Sequence, residues 1–262
     1  MIIDFHTHFY PDKLAPRAIE IGTSPPEANA FTDGTRQALE DSMRRNGIDL
    51  SVGLPLANSP ENVAGINRFA IANNYSPFIM LGTIHPDSGN KTQIVAELSQ
   101  AGIKGIKLHP EFQRFKLDDS RMNELWNACI EYDIFILTHA GADIAFEPPF
   151  QTNPKQAAKL HQAYPEMKLV IAHFGSWGMW DEVEEYLIGL PVWLDLSYTP
   201  GFITPERMAT MIHNHGVDKV FFGSDSPWRD QATELDFVRA LPLTDKERAM
   251  ILGTNAAAFL NI

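Results

Sequence analysis

Six histidines of this 262-residue chain stand at or near the carboxyl ends of short apolar segments. They are His6, His8, His85, His109, His139 and His173. Another such segment, "VFFGSDSP", carries Asp225 near its end. Imidazole nitrogens and carboxylate oxygens together suit a divalent transition metal and leave room for water. The pattern therefore predicts a metal centre. Its expected ligands are His6, His8, His139 and Asp225.

The first histidine pair lies in "MIIDFHTHFY". Strand side chains alternate between two faces, so His6 and His8 would point the same way, about 7 Å apart along the strand. The alternative is a pair of hydrogen-bonded histidines where a strand runs into a loop. A second pair, His213 and His215 in "HNH", follows a helical pattern. Residues two apart on a helix do not share a face, so we expect both to be solvated.

Asp225 stands directly after Phe221, Phe222, Gly223 and a serine. A carboxylate in so apolar a segment must be paired or bind a metal ion. A helix N-cap is the structural alternative for it. For the histidines of the later segments, the alternative is a core side chain with satisfied hydrogen bonds.

Other polar and aromatic residues follow the same segment ends and are candidates for substrate binding. They are Lys107, His109, Arg114, Trp177 and Trp228. Alternation places the first two in the interior of a barrel. Arg114 could hold a substrate carboxylate, with a surface position as the alternative, and the tryptophans could wall a pocket or simply pack. Asp4 and Asp195 also fall on the interior face by alternation, where they could brace the ligands or form a structural network.

Eight short segments rich in Ile, Val, Leu and Phe must position these residues. They are "MIIDFH", "LSVGLP", "FIMLGTIH", "GIKGIKLH", "IFILTH", "LVIAHF", "VWLDLS" and "VFFGSD". Such runs predict buried strands of a parallel sheet. Residues 9–34 read as an inserted loop after the first strand.

Helical patterns lie between the strands. They cover residues 36–46, 60–75, 90–101, 154–164, 179–189, 205–214 and 231–240. The clearest is "DDSRMNELWNACIEYD", where Met122, Leu125, Trp126, Cys129 and Ile130 make one apolar stripe. Eight alternations of strand and helix predict a single α/β domain spanning residues 1–262. The expected fold is a (β/α)₈ TIM barrel, with slight distortion allowed. An open doubly wound sheet would carry a Gly-rich turn after its first strand, and "HTHFYP" stands there instead.

Composition excludes several classes of protein. The net charge of −12 disfavours nucleic acid and anionic membrane as partners. The single cysteine excludes an internal disulfide framework. No segment resembles a signal peptide or a membrane span. We therefore expect a cytoplasmic protein that acts on a small molecule.

The ordered motifs carry a family resemblance. They are "DFHTH", "GIKLHP", "THAG", "IAHFG", "GSDSPW" and "ILGTNAAAFL", and they span nearly the whole chain. The chain resembles the amidohydrolase superfamily, and more narrowly amidohydrolase family 2. The resemblance implies ligands from strands one (His6 and His8), five (His139) and eight (Asp225). It also implies that His173 acts on the substrate or on the metal-bound water.

The same resemblance implies one divalent ion. Zn²⁺ is expected first, with Mn²⁺, Fe²⁺ or Co²⁺ as alternatives. A second ion bridged by a carbamylated Lys107 is the less favoured arrangement. Family members often form dimers, so a homodimer is consistent with the resemblance.

The expected activity is metal-dependent hydrolysis of an amide, ester or lactone. The ion would lower the pKa of bound water toward ~7, with Asp225 accepting its proton and His173 donating a hydrogen bond to the developing charge. The alternative is a metal-dependent decarboxylase, a carbon–carbon lyase acting on an aromatic or unsaturated acid. The chain is short for decarboxylase-like members, which favours hydrolysis. A purely structural zinc site would be richer in cysteine.

Overall fold

The computed structural model describes residues 1–25 and 27–262. These residues form nine strands, whose paired neighbours all run parallel. The strands are β1 Ile3–Thr7, β2 Leu50–Gly53, β3 Phe78–Met80, β4 Gly82–Thr83, β5 Gly105–Leu108, β6 Phe135–Thr138, β7 Leu169–Ile171, β8 Trp193–Asp195 and β9 Val220–Phe221. Their spatial order follows the sequence, β1 to β3 and then β4 to β9.

Hydrogen bonds complete the circle between these two groups. Only Leu81 separates β3 from β4, and its N–H donates to the Gly53 carbonyl at 2.9 Å, so the two form one interrupted strand. At the other junction, Phe5 N–H donates to the Phe222 carbonyl at 2.8 Å. Beyond it, Thr7 forms a parallel bridge with Ser226. The sheet is therefore a closed (β/α)₈ TIM barrel, as the sequence predicts.

Helices cover the outside of the barrel. They are α1 Ala15–Gly22, α2 Arg36–Asn46, α3 Val63–Asn73, α4 Lys91–Gln100, α5 Pro110–Gln113, α6 Asn123–Glu131, α7 Pro154–Ala163, α8 Trp180–Tyr186, α9 Pro205–His215, α10 Gln231–Ala240, α11 Asp245–Ala249 and α12 Asn255–Leu260. Local sequence sets several of their ends. Asn153 and Gln156 form a reciprocal capping box at the start of α7, and Gly47 ends α2 in the left-handed conformation.

Two predictions about these segments need correction, and one short helix was not predicted. The region 9–34 is not only a loop, because it contains α1. The segment after β5 includes the short α5, which has no apolar period of its own. His213 is exposed, as expected, but His215 is buried and its Nε2 donates to the Val192 carbonyl at 2.9 Å.

β1 carries one residue more than its neighbour. Asp4 pairs with Ser51 and Thr7 with Gly53, so three steps along β1 match two along β2. A β-bulge of this kind turns successive side chains toward the same face. The bulge therefore changes which residues of β1 face the barrel interior.

Contacts across the barrel show the result. The Phe5 ring lies 6.0 Å from the ring of Phe135 on β6, and His6 Nε2 lies 3.2 Å from Lys107 Nζ on β5. Neither β5 nor β6 is a neighbour of β1. Consecutive residues Phe5 and His6 thus both point inward, the first toward the floor of the barrel and the second toward its mouth.

Asp4 consequently faces outward, and its predicted interior position is wrong. Its carboxylate accepts hydrogen bonds from the Gln231 side chain of α10 and from the backbone N–H of Ser224, both at 2.8 Å. Burial raises the pKa of Asp4 to about 7. The residue belongs to a structural network that joins β1 to the segment after β9.

α12 closes the bottom of the barrel. The Phe259 ring lies 5.0 Å from Phe135, 5.3 Å from Phe221 and 4.7 Å from Trp193, between the rings of three strands. This leaves the opposite end, at the carboxyl ends of the strands, as the open mouth. Of the helices in residues 1–25 and 27–262, none has the length and apolar character needed to cross a bilayer.

Candidate metal centre

His6 reaches the mouth of the barrel with only one ring nitrogen free to bind an ion. Its Nδ1 lies 2.9 Å from Asp195 Oδ2 and 3.1 Å from Ser197 Oγ. A carboxylate partner requires Nδ1 to carry the proton, so Nε2 keeps its lone pair. That Nε2 lies 3.3 Å from Asp225 Oδ1. Asp195 thus braces a predicted ligand, one of the two roles expected for it.

His8 is oriented in the same way by a backbone group. Its Nδ1 donates to the Leu54 carbonyl at 2.8 Å. Its Nε2 therefore also carries a lone pair, and it lies 3.1 Å from Asp225 Oδ1. Two imidazole lone pairs converge on a single carboxylate oxygen.

This convergence fits a cation. Lone pairs and a carboxylate oxygen repel one another unless a positive charge lies among them. Burial alone would raise the pKa of Asp225, but the neighbouring His6 and His8 outweigh burial and lower the pKa to about 2. The carboxylate is therefore ionised at neutral pH. Burial and the nearby Lys107 hold the pKa of His6 well below its usual value. Two neutral imidazoles and a carboxylate suit a divalent transition metal.

Backbone strain supports this arrangement. Asp225 has φ 69° and His173 has φ 56°, a left-handed conformation that costs energy in non-glycine residues. The Asp225 N–H donates to the His6 carbonyl at 2.7 Å, which holds the strand end in place. At Gly223, an added Cβ would lie 2.9 Å from His6 Cβ, so only glycine lets the strand approach so closely.

Lys107 is buried beside this group. Its Nζ lies 3.2 Å from His6 Nε2. Burial lowers the pKa of Lys107 to about 8, while the carboxylates of Asp225 and Asp195 oppose that shift. In its protonated form the lysine can pair with a bound anion, whereas sharing an ion with His6 would require it to lose its proton.

His139 lies next to the first three ligands but not among them. The ligand atoms of His6, His8 and Asp225 lie within 4.8 Å of one another, whereas His139 belongs to a neighbouring group with His109 and Asp143. His173 connects the two groups. Its ring centroid is 5.0 Å from that of His6 and 4.9 Å from that of His139. Three of the four predicted ligands thus converge directly.

A cavity of about 630 Å³ opens above these groups. The strand ends contribute its polar lining: His6, His8, Lys107, His109, His139, His173 and Asp225. The loops contribute aromatic walls: Tyr10, Phe112, Trp177, Tyr198 and Trp228. The predicted contacts of Lys107, His109, Trp177 and Trp228 are thus placed at the cavity. Arg114 is exposed and lies outside the lining, so the structure does not bring it to the site.

Two contributors were missed from the sequence. Asp143 lies in the loop after β6, and its Oδ2 is 3.2 Å from His109 Nε2. Tyr198 follows β8 and walls the cavity. In the sequence, the nearby Gly141 is the one signal of a tight turn before Asp143. In the structure Gly141 has φ 89°, and an added Cβ would lie 2.5 Å from the Trp177 backbone. A turn so tight sends the following residues back over the mouth.

Comparison with known proteins gives the same fold. A family model described as amidohydrolase matches residues 3–262. No curated protein matches the sequence. Among solved structures, an uncharacterised TIM-barrel protein from Bordetella bronchiseptica has a TM-score of 0.77 at 17% identity, covering 99% of this chain and 98% of that one.

Two decarboxylases have similar structures. A 5-carboxyvanillate decarboxylase from Novosphingobium aromaticivorans, complexed with manganese and 4-hydroxy-3-methoxy-5-nitrobenzoic acid, has a TM-score of 0.73 at 16% identity, covering 100% of this chain and 96% of that one. A 2,6-dihydroxybenzoate decarboxylase from Rhizobium has a TM-score of 0.71 at 12% identity, covering 99% and 98%. At these identities, the likeness establishes the fold alone.

Proposed function

Since this chain belongs to the amidohydrolase family, we propose that it is a metal-dependent decarboxylase of an aromatic or unsaturated carboxylic acid. The observation that carries the proposal is the division of the cavity into polar strand ends and aromatic loop walls. A flat apolar ring fits between such walls. Its carboxylate would then point to the strand ends, where the ligands converge.

The residues at the strand ends have distinct roles in this proposal. His6, His8 and Asp225 hold the ion, with His139 beside them. When bound, a divalent ion supplies Lewis-acid charge to the substrate and acidifies water. Lys107, with a pKa of about 8, is mostly protonated at neutral pH and adds positive charge near the substrate carboxylate.

The reaction replaces CO₂ by a proton. The carbon–carbon bond to the carboxylate breaks, a carbon–hydrogen bond forms, and no oxidant is needed. Asp225 would take this proton from water and pass it to the carbon that loses CO₂, since its carboxylate faces the cavity between the two imidazoles. His173 also lines the cavity, with Nδ1 held 2.9 Å from Ser197 Oγ, and stabilises the developing negative charge.

The comparisons support a lyase better than a hydrolase. Both decarboxylases compared above have this fold, and the structure of one contains manganese, so Mn²⁺ stands beside Zn²⁺ as the ion to test. The chain length no longer favours hydrolysis, because the alignments extend over 96% and 98% of those decarboxylase chains. Hydrolysis of a lactone, ester or amide is the second candidate, because Asp225 and His173 beside an ion would equally serve the attack of water on a carbonyl.

The test offers both substrate classes to one preparation. Protein freed of metal and reloaded with Mn²⁺ or Zn²⁺ is given aromatic carboxylates and lactones, and CO₂ release is compared with acid production. We expect ion-dependent CO₂ release, reduced about 100-fold or more in Asp225→Asn. His213→Asn is the matched control, because His213 is exposed and contacts Glu247 on the outside of the barrel. Acid production from lactones without CO₂ release would overturn the proposal in favour of hydrolysis.

A further inference from the structure

The cavity is larger than a single-ring acid requires. Its volume is about 630 Å³. At about 30 Å³ for each water-sized group, it has room for roughly 20 non-hydrogen atoms, about twice the number in a single-ring aromatic acid. About half of the space is therefore open to a part of the substrate that takes no direct part in the loss of CO₂.

The additional space begins beside two of the expected ligands. The Leu54 carbonyl accepts the hydrogen bond from His8 Nδ1 at 2.8 Å, and both Leu54 and Leu56 line the cavity. On the side of the last strand, the Trp228 N–H donates to the Asp225 carbonyl at 2.9 Å, and Trp228 also lines the cavity. Leucine and tryptophan side chains thus lead away from the metal centre.

The segment inserted after β1 forms the other wall of this space. It contributes Ala18, Ile21, Gly22, Pro25 and Ala28 to the lining. We call the space between these five residues and Trp228 the α1 chamber. An added Cβ at Gly22 would overlap the Trp228 ring, so glycine allows helix and indole to approach closely. The Phe31 N–H donates to the Pro227 carbonyl at 2.7 Å and fastens the inserted segment to the loop after β9.

None of the described residues that line the α1 chamber is charged. The helix does contain Arg17 and Glu20, but these pair with each other at 2.7 Å, and both side chains are 68% exposed to solvent. Ser24, Asn29 and Asn58 line the cavity nearby and are exposed as well. An ionised group inside the chamber would lose water without gaining an opposite charge, whereas an apolar group would be stabilised there.

We propose that the acid decarboxylated by this protein carries an uncharged apolar substituent of about ten non-hydrogen atoms, which binds in the α1 chamber. This inference rests on the proposed function, because the carboxylate of the same molecule faces the metal centre. An alkyl chain or a second apolar ring has the required size and character. A second carboxylate or a phosphate at this position does not.

Affinity across a homologous series tests the chamber without requiring turnover. Benzoates with para-alkyl chains from none to about six carbons are titrated into Mn²⁺-loaded protein, and the dissociation constants are measured by calorimetry. We expect each added carbon to tighten binding about two- to fourfold until the chamber is full, because each methylene leaves water for an apolar surface. Chains that end in a second carboxylate should bind no more tightly than unsubstituted benzoate.

A larger side chain in the chamber provides the second test. Ala18→Phe fills the space, so affinity should no longer rise with chain length. Arg17→Phe places the same ring on the exposed side of the same helix and should keep the native dependence. Ala28→Phe, in the loop after α1, repeats the test at another wall position and replaces Ala18→Phe should that variant fail to fold.

The outcomes distinguish the chamber from the reaction. An affinity independent of chain length in the native protein would overturn the α1 chamber as a substrate site, even with CO₂ released from a short acid. A dependence that survives in both Ala18→Phe and Ala28→Phe would place the substituent elsewhere and overturn it equally. A dependence that these variants remove, without CO₂ release from any acid, would support the chamber and count against the decarboxylase.

Discussion

Asp195 lies behind His6 and decides which of its nitrogens can bind an ion. The carboxylate fixes the proton on Nδ1 and thereby points the Nε2 lone pair at Asp225. Its Oδ1 also accepts from the backbone N–H groups of His173 and Ser197, at 3.2 and 3.1 Å. One side chain therefore positions His6 and two residues of the later strand ends.

Replacing this carboxylate tests that role. We expect Asp195→Asn to weaken metal binding by about 10- to 100-fold, the usual effect of losing a partner that orients a ligand. An amide can present its NH₂ to His6 and stabilise the wrong tautomer. Metal affinity measured by competition with a chelator gives the result, and circular dichroism controls for folding. Unchanged affinity in a folded variant would show that His6 is oriented by Ser197 instead.

At the scale of elements, α6 is a helix whose interior face follows directly from its sequence pattern. Leu125, Trp126 and Cys129 within the helix, and Met122 directly before it, are all buried, as their spacing predicts. Burial raises the pKa of the Cys129 thiol, so almost no thiolate forms at neutral pH. The thiol also lies beneath the helix layer, out of reach of reagents.

The single cysteine therefore reports on unfolding. We expect a thiol reagent at pH 8 to leave the native protein essentially unlabelled and to label it fully in denaturant. Because the folded thiol has the higher pKa, raising the pH to 9 should accelerate labelling of the denatured chain without opening the native one. Rapid labelling of native protein would show that α6 opens locally.

Local patterns predicted the strands and the longer helices well because the signals for these elements lie within a few residues, whereas α1 and α5 carried no clear signal. The predicted 154–164 helix is α7 with a one-residue difference, since Asn153 and Pro154 mark its start in the sequence. The bulge in β1 has no such mark, and it turned Asp4 outward against strict alternation. Asp143 was missed for a related reason. Its contact with His109 joins residues 34 positions apart and depends on how a loop folds back.

The site was predictable in part because the barrel brings all strand ends together. His6, His8 and Asp225 converge as expected once the sheet closes. Which neighbouring ring shares the ion with them is decided by distances of a few ångströms. Spacing in the sequence does not contain that information, so the assignment of His139 as a ligand stays a prediction.

At the scale of the whole molecule, an ion at the mouth ties distant parts of the chain together. The ends of β1 and the segment after β9 supply His6, His8 and Asp225, so a bound ion would bridge the junction of the first and last strands, which backbone hydrogen bonds already close. An ion that binds only the folded state stabilises it by about 2.7 kcal/mol at a free concentration 100 times the dissociation constant. We expect removal of the ion with a chelator to lower the Tm by roughly 5 °C or more.

Differential scanning calorimetry with and without Mn²⁺ measures this shift. His8→Asn should show a much smaller response to the ion than the native protein, and His213→Asn should respond normally. Equal responses from all three proteins would mean that manganese binds elsewhere on the acidic surface.

The extra residue in β1 makes the candidate metal centre sensitive to insertions and deletions during evolution. Side chains along a strand alternate between its two faces, and the bulge between Asp4 and Thr7 shifts this alternation by one residue. Deletion of one residue there would restore strict alternation along β1. Both imidazoles of "HTH" would then point outward to the helix layer, although every functional residue would still be present in the sequence. Point substitutions can change the metal affinity of this centre gradually, but one insertion or deletion at the base of β1 would create or abolish the centre in a single event.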